Sequence, residues 1–214
     1  HDISDAAADN GSGVATILEV ARLLAPHRGL LKRTVRFVAF GAEEVGLLGG
    51  HDYVARHADE LHAVRLMVNV DCIGNSRGKG FNFQGWDEAK EPLAAMRTAM
   101  HEQETLAFGS RPEAYSDHFN FVVAGVPSCT LGSNVASAPS GRGFGHTAAD
   151  TLDKVSQADL REAAGILARS LLRFANDPVW ALRHKSSAEV KRLLDRYGIR
   201  AVLRTEGTLP KALR

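Results

Sequence analysis

The chain has 214 residues, of which 44% are hydrophobic and 24% are charged, and its formal net charge is +1. This length suits one domain, and so small a net charge argues against nucleic acid as the main partner. No apolar run reaches the roughly 18 to 20 residues that a membrane-spanning helix needs. Two cysteines, Cys72 and Cys129, are too few for a disulfide scaffold, and their apolar surroundings favour buried free thiols over a single disulfide.

Charge is distributed unevenly along the chain. Residues 177–214 contain nine lysines and arginines against four acidic residues, whereas acidic residues are in excess over residues 1–176. We therefore expect two units, a main domain over 1–176 and a basic helical extension over 177–214. The basic residues of the extension are interpreted as a solvated surface, with a helix that packs back on the domain.

The first half of the chain predicts alternating helices and strands. Apolar residues at helical spacing place the start of a helix near Ser12. The β-branched and aromatic run "RTVRFVAF" (33–40) predicts a buried strand. A short helix over 51–62 and a second strand, "RLMVNV" (65–70), follow. Connections of this length make neighbouring strands parallel.

Three acidic residues follow these predicted strands directly. Glu43 and Glu44 come after the first strand, and Asp71 comes after the second. In α/β sheets, ligands bind beyond the carboxyl ends of the strands, so we expect these carboxylates to converge at one edge. Adjacent residues in a turn point in different directions, which lets one glutamate bind a metal while the other reaches a nearby water.

The second half of the chain continues the α/β pattern. Its predicted elements are a strand over "GFNFQG", a helix over 87–104, a helix over 117–124, the strand "PSCTL", and helices over 156–175 and 187–197. Capping-box signals begin the last two helices, at Ser156 and Ser186. The segment 132–150 is a long loop rich in Gly, Ser and Ala, and loops of that length inside a compact domain are usually functional.

A hydrolytic zinc site needs oxygen and imidazole ligands, an open position for water, and a base beside it. Asp9, Asp71 and His146 are candidates for the ligands that would accompany the glutamate pair. Each signal is weak alone, because a loop histidine is usually structural and an aspartate after a strand is usually a turn residue. The order of these residues along the chain indicates a metal site more strongly than any one of them does.

Five motifs, taken together, give a resemblance to a known family. These motifs resemble, in order and spacing, those of the M28 family of zinc aminopeptidases. They are "AAADNGSGVATILEVAR", "RFVAFGAEEVGLLGG", "VNVDCIGN", "SDHFNF" and "GHTAADTLDKV". The match covers about residues 1–176. It implies a three-layer α/β/α sandwich with a mostly parallel mixed sheet, a site for two zinc ions, and removal of N-terminal residues from peptide substrates. It also favours a secreted or periplasmic location.

The resemblance implies a role for each matching residue. Asp9 would bridge the two zinc ions, Glu44 and His146 would complete the site of one ion, and Asp71 would bind the other. A histidine of an H-x-D motif upstream of "ADN" would accompany Asp71. Glu43 would be the general base, which takes a proton from the zinc-activated water and returns it to the leaving amine.

The sequence departs from the family pattern at the H-x-D motif, because it opens "HDISD". If Asp2 is the aspartate of the motif, the ligating histidine lies just upstream, and Asp2 orients its ring. If His1 itself binds zinc, the spacing to Asp2 is one residue short. A missing histidine would leave one zinc ion in place of two.

Residues of and around "SDHFNF" are expected to shape the substrate pocket. The resemblance places Asp117 and His118 near the metals. Tyr115 would steady the oxyanion in place of a family tyrosine that has no clear match, or it is an ordinary half-buried tyrosine. Arg142 would contact substrate or would simply be exposed.

Family members carry further strands before the first motif, and we expect this chain to lack them. Their absence predicts an uncovered sheet edge, through which the chain would self-associate. Two other functions remain open: a glutaminyl-cyclase-like enzyme that works with one zinc ion, and a non-catalytic binding homologue. The full acidic set argues against the first, and the intact "AEE" and "GHTAAD" motifs argue against the second.

Overall fold

Four strands form one mixed sheet in the computed structural model, which describes residues 4–74, 79–101, 106–133 and 144–214. The strands are β1 (Met67–Val70), β2 (Lys79–Asn82), β3 (Leu106–Gly109) and β4 (Ser128–Ser133), and their spatial order is β1-β4-β2-β3. β1 runs parallel to β4 and β2 runs parallel to β3, whereas β2 and β4 are antiparallel. The expected α/β class with a mixed sheet is confirmed.

Helices form the two outer layers of the sandwich. They are α1 (Gly13–Leu24), α2 (Leu48–Arg56), α3 (Lys90–Met100), α4 (His118–Val123), α5 (Gln157–Asn176), α6 (Ser187–Arg196) and α7 (Ile199–Thr205). α5 packs against α1 and α3, and α4 packs against α2, α6 and the strands β1 and β4. The sequence prediction missed β3 and α7, and it extended α2 past Arg56 over a separate 3₁₀ turn, Leu61–Ala63.

The segment 33–40, predicted as a buried strand, instead has no regular secondary structure and is not part of the sheet. It is held by side chains: the Arg33 guanidinium donates to the Phe174 and Asp177 carbonyl oxygens, and the Phe40 ring packs edge-on against Tyr53. Phe37 is 39% exposed. Strand propensity favours an extended backbone, but a strand also needs a partner, and the described residues provide none here.

Aromatic rings fill the core between the sheet and α5. The Trp180 ring stacks on Phe83 at 5.9 Å and meets Phe174 edge-on at 4.4 Å, and Phe81 also contacts Phe174. Lys79 is fully buried at the start of β2, where its ammonium group pairs with Glu162 of α5. This ion pair fixes the amino end of β2 to α5.

The basic extension contributes to the same core. Trp180, Leu182, Val190, Leu194, Leu203 and Leu213 belong to the main apolar cluster. The Trp86 indole N–H donates to the Arg183 carbonyl, and a complete capping box between Ser186 and Glu189 begins α6. The capping signal that the sequence predicted at Ser186 is confirmed, whereas the division of the chain at 176 stays a prediction.

Both cysteines are free. Cys129 is buried in β4, as expected, but Cys72 is exposed, because the chain turns sharply after β1 and Cys72 adopts a positive φ of 53°. No helix within the described ranges is long and apolar enough to cross a membrane.

Candidate metal centre

A tight turn over 41–49 positions Glu43 and Glu44. The Glu43 carbonyl accepts hydrogen bonds from the N–H groups of Gly46 and Leu47, and the Gly49 N–H donates back to the Gly41 carbonyl. A Cβ atom at position 49 would lie 2.3 Å from that carbonyl oxygen, so only glycine fits there. The turn leaves Glu43 half-buried and Glu44 more exposed.

Asp9 is held in the loop before α1 by contacts with its backbone. The buried Asp150 carboxylate accepts hydrogen bonds from the N–H groups of Ala8 at 2.7 Å and Asp9 at 3.0 Å. Next to Asp9, the Asn10 side chain donates to the Val70 carbonyl and accepts from the Cys72 N–H. These contacts join the loop to the carboxyl end of β1.

Two more candidate ligands lie near Asp9. Asp71 follows β1 directly, and His146 lies in the series of turns that leads to Asp150. The His146 Nε2 atom is 3.1 Å from a carboxylate oxygen of Asp9 and 3.1 Å from one of Glu44. Among the described residues, ligand atoms of Asp9, Glu44 and His146 thus form one group that a metal ion could occupy.

Asp71 is oriented by a short hydrogen-bond chain. The Asn69 amide donates to the Ser116 hydroxyl at 2.8 Å, and this hydroxyl donates to Asp71 Oδ2 at 2.7 Å. The other oxygen, Oδ1, is buried and has no hydrogen-bond partner among the described residues. A buried carboxylate oxygen without a partner is costly unless a ligand satisfies it.

Negative charge accumulates at this edge. Burial, followed by the charges of Asp71, Glu44, Asp117 and Asp9 in that order, raises the pKa of the Glu43 carboxyl to about 7. Burial also raises the pKa values of Asp71 and Glu44, and the charge of Asp9 adds to both. Cys72 is exposed as a residue, but its sulfur lies within 4.8 Å of carboxylate oxygens of Asp9 and Asp71. Burial of this thiol and the charges of Asp71 and Asp9 raise its pKa above the ordinary range.

A divalent cation fits this arrangement on structural grounds. Carboxylate oxygens and an imidazole nitrogen are ligands that zinc accepts, and the unpartnered Asp71 Oδ1 is a free ligand atom. A cation would also offset the mutual repulsion of Asp9, Glu44 and Asp71.

The structure places Asp117 and His118 differently, although they are adjacent. Asp117 is 7% exposed, and its pKa rises to about 6 through burial and the charge of Asp71, while a backbone hydrogen bond from Gly50 opposes the shift. His118 is 2% exposed, and burial lowers its pKa to about 4, opposed only by the Glu113 carbonyl. Asp117 therefore belongs to the electrostatics of the site, and His118 is a buried neutral imidazole.

Other predicted site residues are exposed or lie outside the described residues. Tyr115 is 67% exposed, so its role at the oxyanion stays a prediction. His1, Asp2 and Arg142 lie outside the described residues.

Sequence reasoning missed three residues that position the ligands. Asp150 closes the "GHTAAD" motif, Ser116 begins "SDHFNF", and Asn10 is the last residue of "ADN". Each lay inside a quoted motif, but its partner is a backbone group or a carboxylate far away in sequence. Pairing across 141 or 45 residues leaves no local pattern to find.

The fold is that of an α/β protein with a group of candidate metal ligands next to the carboxyl end of β1. The model of peptidase family M28 matches residues 1–171, so the chain belongs to that family. The predicted resemblance is confirmed.

Individual relatives agree with this assignment. Aminopeptidase YwaD of Bacillus subtilis (strain 168) is 29% identical over 177 residues, which cover 77% of this chain and 36% of that protein. The probable lipoprotein aminopeptidase LpqL of Mycobacterium tuberculosis is 32% identical over 165 residues, which cover 68% of this chain and 32% of that protein. The chain therefore spans about a third of these relatives.

A solved structure supports the fold. The zinc aminopeptidase BSAP from Bacillus subtilis superimposes with a TM-score of 0.68 at 24% identity, over 86% of this chain and 46% of that one. At this identity the similarity is evidence for the three-layer architecture alone.

Proposed function

We propose that the chain carries the metal centre of a zinc-dependent aminopeptidase, which removes N-terminal residues from peptides. The observation that supports this most strongly is the central position of Asp9. Its carboxylate belongs to two ligand groups, one with Glu44 and His146 and one that contains Asp71. A shared carboxylate between two groups is the arrangement that a pair of metal ions needs.

The described residues divide between the two positions. Glu44 and His146 would hold one zinc ion and Asp71 the other, with Asp9 shared between them. His1, or a histidine before it, would complete the second set, with Asp2 orienting the ring. Bound zinc would supply Lewis-acid polarisation of the substrate carbonyl and would lower the pKa of a water molecule.

Glu43 would move the proton. Its half-buried carboxylate takes a proton from the attacking water as the water oxygen bonds to the carbonyl carbon. It returns that proton to the amine nitrogen as the C–N bond breaks, which leaves a carboxylic acid and a free amine. Burial raises the pKa of this carboxyl, which suits it to accept a proton and to release it again.

Hydrolysis of aminoacyl fluorogenic amides tests this proposal. Turnover is expected with a free α-amino group, is expected to stop with chelator and to return with zinc, and is not expected with an N-acetylated amide. Cyclisation of N-terminal glutamine without amide hydrolysis would favour the glutaminyl-cyclase alternative. Zinc binding without either reaction would favour the binding homologue. Either of these two results would overturn the aminopeptidase proposal.

The unpaired segment 33–40 supports a second proposal, which concerns assembly. Its backbone pairs with no strand in the described part of the chain, and Phe37 is 39% exposed, so this segment would associate with a second copy. Sedimentation should show a dimer that Phe37→Glu dissociates, whereas Val202→Glu at an exposed site on α7 should not. A monomeric wild type would contradict self-association.

An extracytoplasmic location is also proposed. The support is family membership and the similarity to LpqL, which is named a probable lipoprotein. Immunodetection in cell fractions of the native host tests it, and recovery from the cytoplasm alone would contradict it.

A further inference from the structure

A side-chain hydrogen bond joins the turn of Glu43 to the helix α4. The Asn120 Nδ2 group donates to the Leu47 carbonyl at 3.3 Å, across 73 residues of chain. The Leu47 N–H donates in turn to the Glu43 carbonyl at 2.8 Å. Asn120 is therefore two hydrogen bonds away from the backbone of the proposed general base.

Leu47 has a backbone conformation that needs support from its surroundings. Its φ of 58° lies in the left-handed region, which is unfavourable for a bulky side chain. Such a conformation persists where several contacts determine it. The Leu47 carbonyl also accepts the His51 N–H at 2.9 Å, and its side chain packs against the main apolar cluster. The bond from Asn120 is the contact that joins this residue to α4.

The first turn of α2 lies directly against the side chains at the start of α4. A Cβ atom at position 50 would lie 2.6 Å from Asn120 Nδ2 and 2.6 Å from Asp117 Oδ1. Gly50 is buried and does not have a positive φ, so space and not backbone conformation requires glycine here. The turn that carries Glu43 therefore cannot shift without a change at Asn120.

The same short segment of chain also contacts a metal ligand. Ser116, four residues before Asn120, donates its hydroxyl to Asp71 Oδ2 at 2.7 Å. α4 in turn packs against β1, which Asp71 follows, and against β4. Residues 116–120 thus join the turn of Glu43 to the position of Asp71.

We propose that Asn120 is a positioning residue for Glu43. Its amide fixes the turn at Leu47, and the turn keeps the Glu43 carboxylate within reach of the attacking water. Asn120 acts through the backbone of the turn and not on the substrate. This inference rests on the proposed function, because it requires Glu43 to be the base. A misplacement of about 1 Å at a reacting group can lower turnover by about 100-fold, so one hydrogen bond is enough to matter.

Steady-state kinetics of Asn120→Ala are the first test. kcat should fall by about 10- to 100-fold, while KM and zinc content stay close to those of the wild type. Asn82→Ala is the matched control, since the Asn82 amide also donates to a backbone carbonyl, that of Arg111, at 2.9 Å. Asn82 ends β2, which runs antiparallel to β4, so it lies at the other edge of the sheet and should be replaceable without loss of kcat.

A double-mutant cycle separates positioning of Glu43 from a general structural role. In a Glu43→Gln background, Asn120→Ala should lower the residual kcat by less than about twofold, because the group that it positions is already absent. A general structural role would lower kcat by the same factor in both backgrounds. That result would overturn the inference, as would a wild-type kcat in Asn120→Ala.

Gly50→Ala tests the same contact from the other side. The added methyl group would displace the Asn120 side chain, so kcat should again fall about tenfold or more, and again not in the Glu43→Gln background. Gly165→Ala in α5 is the matched control, since a Cβ atom there would meet nothing within 4 Å. Equal kcat values in the two glycine variants would contradict the inference, whether or not Asn120→Ala is stable enough to assay.

Amide hydrogen exchange in the presence of chelator gives a readout that does not depend on activity. The N–H groups of Gly46 and Leu47, which both donate to the Glu43 carbonyl, should exchange roughly fivefold faster in Asn120→Ala than in wild type or Asn82→Ala. Unchanged exchange would overturn the inference. An active wild type with unaffected Asn120→Ala would overturn this inference alone, whereas a wild type that hydrolyses no aminoacyl amide would overturn the proposed function as well.

Discussion

The Asp150 carboxylate accepts a hydrogen bond from the Asp9 N–H at 3.0 Å, across 141 residues of chain. The same carboxylate accepts the Ala8 N–H, and the Asp150 N–H donates to the Thr147 carbonyl, next to His146. One buried side chain thus fixes the loop of Asp9 relative to the loop of His146. The geometry of the metal centre depends on this contact, although Asp150 is not itself proposed as a ligand.

Asp150→Asn should weaken zinc binding. The amide keeps one acceptor oxygen but turns an NH₂ group toward a backbone N–H, so Asp9 loses its fixed position. We expect a 10- to 100-fold loss of zinc affinity in a chelator competition, typical of residues that support metal ligands. Asp153→Asn, at an exposed acid three residues away, is the matched control and should retain full affinity. Equal affinities in the two variants would contradict a positioning role for Asp150.

Glu43→Gln should separate catalysis from metal binding. The amide cannot accept the proton, so kcat should fall by about two to four orders of magnitude while the zinc content stays unchanged. Glu44→Gln is the adjacent comparison and should instead lose zinc, because Glu44 lies with Asp9 and His146 in one ligand group. Undiminished turnover by Glu43→Gln would remove Glu43 from the role of base.

The buried Lys79 should be important for stability. Its side chain is fully buried and its Nζ atom lies 3.3 Å from Glu162. Lys79→Ala should lower the free energy of unfolding by about 3 kcal/mol, since it leaves a cavity and an uncompensated carboxylate. Lys79→Met, which keeps the apolar stem, should cost less. Urea unfolding measures both, and Lys154→Ala, at a surface ion pair, should cost less than about 1 kcal/mol.

His118 should make stability depend on pH. Burial lowers its pKa to about 4 from an ordinary value of 6.5. Between these pH values the unfolded chain binds a proton that the folded protein does not, so the free energy of unfolding falls as pH drops from 6.5 toward 4. His118→Gln keeps a donor toward the Glu113 carbonyl and removes the titrating group.

Unfolding in urea with chelator present, at pH values from 7 to about 4.5, measures this difference. The decline in the free energy of unfolding should be shallower in His118→Gln, by on the order of 2 kcal/mol at the acid end. His27→Gln, at an exposed histidine, should behave like the wild type. Parallel pH profiles for His118→Gln and wild type would contradict the burial of a neutral imidazole.

Sequence patterns predicted those elements of the fold that local forces determine. The helices α1 and α5 were predicted from apolar periodicity, and α6 was predicted from the capping signal at Ser186. The segment 33–40 was predicted wrongly, because strand formation depends on a neighbouring strand and the pattern of one segment does not report its partner. β3 was missed, since "LAFG" is too short to show alternation.

The candidate site was predicted from the order of several motifs along the chain, since no single residue or local spacing indicated it. The His146 Nε2 atom lies 3.1 Å from a carboxylate oxygen of Asp9 and 3.1 Å from one of Glu44. More than a hundred residues of chain separate His146 from each of these acids. Buried partners such as Ser116 and the exposed Cys72 were not predicted as part of the site. Their positions follow from the turn after β1 and the approach of the loop before α4, which are tertiary features.

The zinc content of wild-type protein purified without chelators tests the central claim most directly. Elemental analysis should find two tightly bound zinc ions per chain, one held by Glu44 and His146 and one by Asp71, with Asp9 between them. A folded chain that holds one ion or none would contradict the two-metal centre.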